Sequence, residues 1–335
     1  MELKVFESPG REWDEFASRY TDLIFYQSVW SEVLRKGLGG QPLYFYLKEG
    51  DEIVAGLPGI LISFKIFKIL YASIPYGNLV GNKSYFSPLM GLLKEGFRKR
   101  GIDQVRITES PFFESYQPES FKPISAKCTL LDLRGFDKEK IWEGYKKNIR
   151  RDIRKAQRGG VTIHSGDSRE GINIFYKLYL ASMERNRAMA KYPFRWFEAI
   201  YEIMTKKGLG AILIAELDQV AIAGVVLIHS LTSMHYFHNG SQHEFLKFCP
   251  NELLVHTAIE KAFEKRISFF DFMGSDPHDL SLIRFKEKWG SQSVDISTYV
   301  KDYHPFRCKI LELGKRWMGS RLGSKMIRWF QGRFY

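Results

Sequence analysis

Lys286 is the side chain whose type and spacing point most directly to chemistry. It lies in the block FFDFMGSDPHDLSLIRFKEKWG, residues 269 to 290. There an apolar strand runs into Gly274-Ser275, small residues that permit close backbone approach, and the next segment delivers Arg284, Phe285, Lys286 and Lys288 before Trp289-Gly290. A lysine held at a strand–loop–helix junction can steady an oxyanion, the effect most valuable in acyl transfer. A plain surface lysine would have the same spacing. His235, His238 and His243 lie close together, but no cysteine or carboxylate cluster completes a metal site, so hydrogen-bonded structural histidines are expected. HExxH, GxSxG, GxxxxGK[ST] and a strand-linked GxGxxG do not occur, which removes the sequence support for metalloprotease, serine hydrolase, P-loop and dinucleotide-binding readings.

Fifty Lys plus Arg against 38 Asp plus Glu give a net charge of +12, a bias toward nucleic acid, phosphorylated substrates or anionic lipid headgroups. Solubility alone would also explain so modest a charge. The cations concentrate in Tyr145 to Arg158, where Tyr145, Ile149, Ile153 and Ala156 form one apolar helical stripe that stops at Gly159-Gly160. Lys146, Lys147, Arg150, Arg151, Arg154, Lys155 and Arg158 occupy the other faces beside a single acid, Asp152. Such a helix either presents charge to phosphates or merely covers the sheet with a solvated face. Cys128, Cys249 and Cys308 are far apart, which fits a reducing compartment and predicts a cytoplasmic protein. No stretch approaches the ~20 apolar residues of a membrane span.

The elements that must position these residues read as α/β. Short helices are predicted over Arg11 to Tyr20 and over Val29 to Lys36, the second stopping at Gly37, with FYQSVW between them. Leu43 to Lys48 and Ile53 to Ile62 flank Glu49-Gly50-Asp51 and predict a hairpin. A further strand is expected near Ile69 to Ala72, and the loop IPYGNLVG, 74 to 81, then combines Pro and Gly punctuation with an aromatic. Helix Phe86 to Arg100 and strands Gln104 to Thr108 and Ala126 to Leu133 complete a first unit. The second half repeats the plan. Helices Ile172 to Asn186 and Arg195 to Lys207 lead to a hairpin, Ala211 to Glu216 and Val220 to Ile228, turned at Leu217-Asp218-Gln219. Strand Ser233 to Asn239, helix Glu252 to Lys265, strand Ser268 to Met273 and strand Val294 to Lys301 follow. Both hairpins carry an aliphatic-Ala-Gly step, at Ile53-Val54-Ala55-Gly56 and Ala221-Ile222-Ala223-Gly224, so duplication is expected. The divisions are 1–135, 136–304 and a basic amphipathic tail, 305–335. That tail mixes Trp317, Met318, Leu322, Met326, Ile327, Trp329 and Phe330 with eight Lys or Arg, and it would dock on the core or lie on a membrane surface.

FFDFMGS followed by FKEKWG resembles the closing signature of the Fem-type aminoacyltransferases (FemAB/FemX-like), which build peptidoglycan peptide bridges, and of the wider two-domain acetyltransferase-like (GNAT-fold) group. FYQSVW resembles their N-terminal Gln-and-Trp segment, with Gln27 and Trp30; IPYGNLVG, with Tyr76 and Gly77, resembles their first-domain substrate loop; and KKNIRRDIRKAQRGGV resembles their basic helix. The resemblance spans nearly the whole chain. It implies two tandem GNAT domains, each a mixed sheet flanked by helices, and catalysis without a metal or a covalent intermediate. Lys286, after Phe285, would stabilise the oxyanion while an amine attacks an ester or thioester. Arg185, in SMER, and Lys36, with Arg35 equally placed, would hold phosphates of the acceptor. Asn239 and Ser275 would shape the cleft, and Tyr236 or His238 would relay a proton. No bound cofactor is expected. The donor is aminoacyl-tRNA or acyl-CoA, and SQHEFLKFCPN lacks the glycines of a pyrophosphate cradle, which weakens coenzyme A. The acceptor is then a phosphorylated or lipid-linked cell-envelope precursor at the cytoplasmic membrane face. Two other readings remain: a CoA-dependent acyltransferase in polysaccharide or small-molecule synthesis, and a non-catalytic nucleic-acid- or membrane-binding protein on the same fold.

Overall fold

The computed structural model describes residues 1–8, 10–64 and 67–319. The first half runs β1 (Glu2–Phe6), α1 (Arg11–Ala17), α2 (Ser28–Leu38), β2 (Gln41–Pro42), β3 (Tyr44–Glu49), β4 (Glu52–Leu57), β5 (Ile60–Phe64), β6 (Phe67–Tyr71), β7 (Val80–Gly81), α3 (Phe86–Lys99), β8 (Gln104–Thr108) and β9 (Lys122–Asp132). The second runs α4 (Lys138–Gly144), α5 (Lys147–Arg158), β10 (Thr162–Ser165), α6 (Arg169–Arg185), α7 (Phe194–Ile203), β11 (Gly210–Leu217), β12 (Val220–His229), β13 (Ser233–Ser241), α8 (Pro250–Glu264), β14 (Phe269–Ser275), α9 (Leu280–Glu287), β15 (Gln292–Asp302) and α10 (Pro305–Gly319). Of the basic tail, residues 320–335 lie outside the described residues, as do the side chains of Trp317 and Met318.

Both expected hairpins form. Lys48 pairs with Ile53 across the β3–β4 turn, and Leu217 with Val220 across the β11–β12 turn, where Asp218 and Gln219 take the left-handed conformations of a tight two-residue turn. The strand expected over Ile53 to Ile62 is instead two strands. Pro58-Gly59 breaks it, because proline has no N–H for the ladder, and β4 and β5 enter different sheets. Helix α2 passes the expected stop at Gly37 and ends at Gly39 (φ +71°); Gly37 is buried against Trp196, where a Cβ would come within 2.7 Å of the indole.

Four strands form a small sheet in the order β1-β3-β4-β7, and the other eleven form one continuous sheet, β10-β11-β12-β13-β14-β9-β15-β8-β6-β5-β2. The last strand of each half is exchanged. β9, read from sequence as completing the first unit, lies between β14 and β15, while β15 pairs with β8 of the first unit. An eleven-residue antiparallel partner on each side satisfies backbone groups that would otherwise be open edges. One apolar cluster belongs to the first unit around α3, another to the second around α5 and α8, and a third spans both. In the third, α2 packs on α7 and Trp30 lies edge-on to Trp196 at 5.8 Å. The stripe of α5 is buried as expected, at Ile149, Ile153 and Ala156, and its cations face outward.

Candidate functional site

Lys286 is set by three local features. Asp279 caps α9 by accepting the N–H of Leu282, Ser291 Oγ donates to the Lys286 carbonyl at the other end, and the last turn faces the end of β14. The side chain is buried, with 7% of the residue exposed, and Nζ donates to Met273 O (2.7 Å), Ser275 Oγ (2.8 Å) and, more weakly, Gly274 O (3.4 Å). All three acceptors are neutral. Burial therefore lowers the ammonium's pKa to about 8, against the opposing pull of Asp271, Cys128 and Asp279. Gly274-Ser275, which lie beyond the expected strand end at Met273, are still strand: the ladder to β9 bulges between Asp271 and Gly274, and Met273 takes φ +64°. The bulge turns the Met273 carbonyl to Nζ.

Below this lysine lies a cluster that the sequence did not reveal. Asp271, fully buried, accepts from Tyr76 OH (3.0 Å) and His235 Nδ1 (2.9 Å) at one oxygen, and from Cys128 Sγ (3.1 Å) and the Met273 N–H (2.7 Å) at the other. Burial first, then Asp271, pushes the Cys128 thiol and the Tyr76 phenol up, so both are neutral donors. His235 Nε2 meets Ser233 Oγ at 3.1 Å. Those are the distances of a Ser–His–Asp triad, but Ser233 is 1% exposed and engaged by Ser230, so no substrate reaches it. The one available signal was a charged residue between phenylalanines in an apolar strand; its partners come from residues 76, 128 and 235.

β13 and β14 run parallel only from Ser233–Phe269 to His235–Asp271 and then part. Tyr236 lies at this opening. Its hydroxyl is buried and makes no hydrogen bond of good geometry among the described residues; burial, aided by Glu252 and opposed by a weak hydrogen bond from Asn239, raises the phenol well above its ordinary value. The two expected proton relays are not interchangeable. The β12–β13 register slips at Val226/Leu227 and leaves Phe237 unpaired, so Tyr236 packs with Phe270 and Phe272 while His238 packs on the opposite face among Tyr192, Trp196 and Phe197. His238 Nε2 accepts from Trp196 Nε1 (2.9 Å), and burial lowers its pKa to about 3, so it is neutral with its free nitrogen occupied. That arrangement supports the aromatic packing rather than a relay.

The other expected site residues divide. Arg185 donates to Ser241 O (2.9 Å) and Ser241 Oγ (3.1 Å), and lines a cleft of about 730 Å³ with Lys177, Gln242 and His243. Ser182, in the SMER pattern, bonds both N–H and C=O of Ser241, which fixes α6 to β13. Lys36 and Arg35 are exposed, paired with Glu32, and do not line that cleft. Trp30 is fully buried and donates to Ile74 O (2.6 Å), half-buried Gln27 precedes α2, Tyr76 is buried with its hydroxyl on Asp271, and Gly77 is buried against first-unit backbone; Trp30 and Tyr76 thus build the junction between units instead of an open cleft. Asn239 is exposed on β13, Ser275 is bound by Lys286, and Phe285 packs on Trp289 at 6.4 Å. Beside α9, Lys146, Lys147, Arg284 and Lys288 line an open groove with Asn148 and Glu287. Among the described residues no group of three His, Cys, Asp or Glu is arranged to hold a metal ion, and no helix is long and apolar enough to cross a membrane.

Residues 144–287, from the end of α4 to the residue after Lys286, match the model of the acetyltransferase (GNAT) domain. No curated protein sequence matches the chain. Among solved structures, FemX is similar with a TM-score of 0.68 at 15% identity, over 93% of this chain and 100% of that one. A tandem GNAT protein from the clavulanic acid biosynthesis pathway gives 0.61 at 12% identity, over 90% and 98%. The C-terminal domain of a putative lysylphosphatidylglycerol synthetase from Agrobacterium fabrum gives 0.60 at 14% identity, over 92% and 98%. The chain has the two-unit GNAT acyltransferase fold that its resemblance to the Fem-type group implied.

Proposed function

We propose that this protein is an N-acyltransferase that moves an aminoacyl group from an activated ester or thioester to the amine of a phosphorylated or lipid-linked cell-envelope precursor. The observation that carries the reading is the cradle of Lys286, a protonated lysine in a dry site with only neutral acceptors. Its three N–H groups are all engaged, but the weakest bond, 3.4 Å to the carbonyl of exposed Gly274, is the one an incoming acyl oxygen can replace. The acceptor amine attacks the acyl carbon and the carbonyl electron pair moves to oxygen. Lys286 meets the resulting oxyanion, whose collapse expels the alkoxide or thiolate, and the proton lost by the amine ends on that leaving group as the alcohol or thiol. A preorganised donor of this kind contributes about 10²–10³ in rate.

The fold shared with FemX and with a protein named a lysylphosphatidylglycerol synthetase supports aminoacyl transfer as the class. Arg185 and its cleft suit an acceptor phosphate, and the outward cations of α5 suit a polyanionic donor such as aminoacyl-tRNA. The opening between β13 and β14, bordered by the weakly bonded Tyr236 hydroxyl, favours the second reading, acyl-CoA as donor. Thermal-shift measurements with acyl-CoA and with charged tRNA separate the two, because only the bound donor raises the melting temperature. The transfer reading is tested by Lys286→Met, expected to lower kcat about 10²-fold or more with the fold intact by circular dichroism. Full transfer by that variant would sink it.

A further inference from the structure

Asp271 is the one buried carboxylate that faces Lys286, and it touches neither unit's outer surface. Its four acceptor positions are filled by groups from four places in the chain: Tyr76 from the first-unit loop, Cys128 from the exchanged strand β9, His235 from β13 and the Met273 N–H of its own strand. The last bond is the informative one. An aspartate side chain that bonds the N–H two residues on stabilises a local turn. Here it fixes Met273 in a left-handed conformation that a non-glycine residue seldom adopts. That conformation aims the Met273 carbonyl at Lys286 Nζ, 2.7 Å away. Without the carboxylate, the Met273 N–H loses its partner and the bulge loses its side-chain tie.

We propose that Asp271 is the positioning residue of Lys286, holding the bulge that anchors the ammonium, and that Tyr76 ties this anchor to the first unit. The groups facing Lys286 fit the assignment. Cys128 is a neutral thiol, Asp279 caps α9 at the surface, and Asp271 supplies the negative charge from within. Tyr76 is held in turn by the packing of its ring against Phe25 and Phe112, and both of those rings also pack on His235, so a shift in the first unit reaches Asp271 through the Tyr76 hydroxyl and through His235. The proposal takes its meaning for rate from the acyl-transfer reading, but its test needs no substrate.

The measurement is the ¹³Cε NMR titration of Lys286 in the full-length protein, assigned with Lys286→Met. In wild type the midpoint is expected near 8. Asp271→Asn keeps the side chain's shape and removes its charge, and is expected to lower the midpoint by about one unit. An unchanged midpoint in a folded Asp271→Asn protein overturns the proposal. Should that variant not fold, Tyr76→Phe removes only the hydroxyl, and the amide of Met273 is read by hydrogen exchange. Exchange at Met273 about tenfold faster, with the β11–β12 amides unchanged, is the expected result; an unchanged Met273 rate overturns it. A shifted Lys286 midpoint in a protein that transfers no acyl group supports the positioning and counts against the transfer reading instead.

Discussion

In the first unit β6 and β8 run parallel from Ile69–Gln104 to Tyr71–Arg106 and then part, as β13 and β14 do beyond His235–Asp271 in the second. The first opening is filled by the chain's own backbone. Ala72 N–H donates to Arg106 O (2.8 Å), and Gly77 and Thr108 exchange both hydrogen bonds, at 3.1 and 2.9 Å. Among the described residues the second opening has no such plug: beyond it β13 continues on β12 alone and β14 on β9 alone. The same local geometry thus became a seal in one unit and an opening in the other, bordered by a weakly bonded hydroxyl. The seal is also what carries Tyr76 across to Asp271, so closing the first opening builds part of the support for the second.

The largest effect is expected from breaking the plug. A Cβ at residue 77 would overlap the Ala72 carbonyl, so Gly77→Ala should destabilise the protein by about 4 kcal/mol or more, read in urea unfolding. A loss below about 1 kcal/mol would mean that the loop is not sealed in this way. The next concerns the charge beside the open side. Because burial lowers the Lys286 pKa to about 8, the protonated, oxyanion-holding form dominates below that pH and is lost above it. The lysine's contribution to kcat should fall about tenfold per pH unit on the alkaline side. A Lys286→Arg protein that keeps measurable activity should lack this limb, since guanidinium stays protonated there. An identical limb in the arginine protein would assign the titration to another group. The smallest effect is on Tyr236. Its hydroxyl has only a weak bond from Asn239 to lose, so Tyr236→Phe should change stability by less than about 1 kcal/mol. A loss of more than about 1 kcal/mol would reveal a strong partner and a closed second opening.

Much of this architecture was legible in the residues. The turns at Glu49-Gly50-Asp51 and Leu217-Asp218-Gln219, the stripe of α5 and the Lys286 junction all follow from chemistry within a few positions. Pro58-Gly59 was just as visible, yet β-branched and aromatic residues on both sides made one strand of two. Tyr236 and His238 stand in the sequence as alternative relays, but simple alternation along a strand does not show the unpaired Phe237, which sets them on opposite faces. Lys36 and Trp30 were assigned by likeness of order along the chain, whereas the fold left one exposed beside Glu32 and buried the other against Trp196.

By itself the sequence determined the elements, the repetition of the hairpin and the cation that chemistry would use, because periodicity and turn preference act between near neighbours. Only the tertiary structure decided what that cation is held by. Tyr76 and Asp271 are 195 residues apart in the chain and 3.0 Å apart in space, and β9 and β15 each found their partners in the other unit's strands. Such pairings depend on which distant strands become neighbours. A buried carboxylate is tolerated only where the whole fold supplies all of its hydrogen bonds at once.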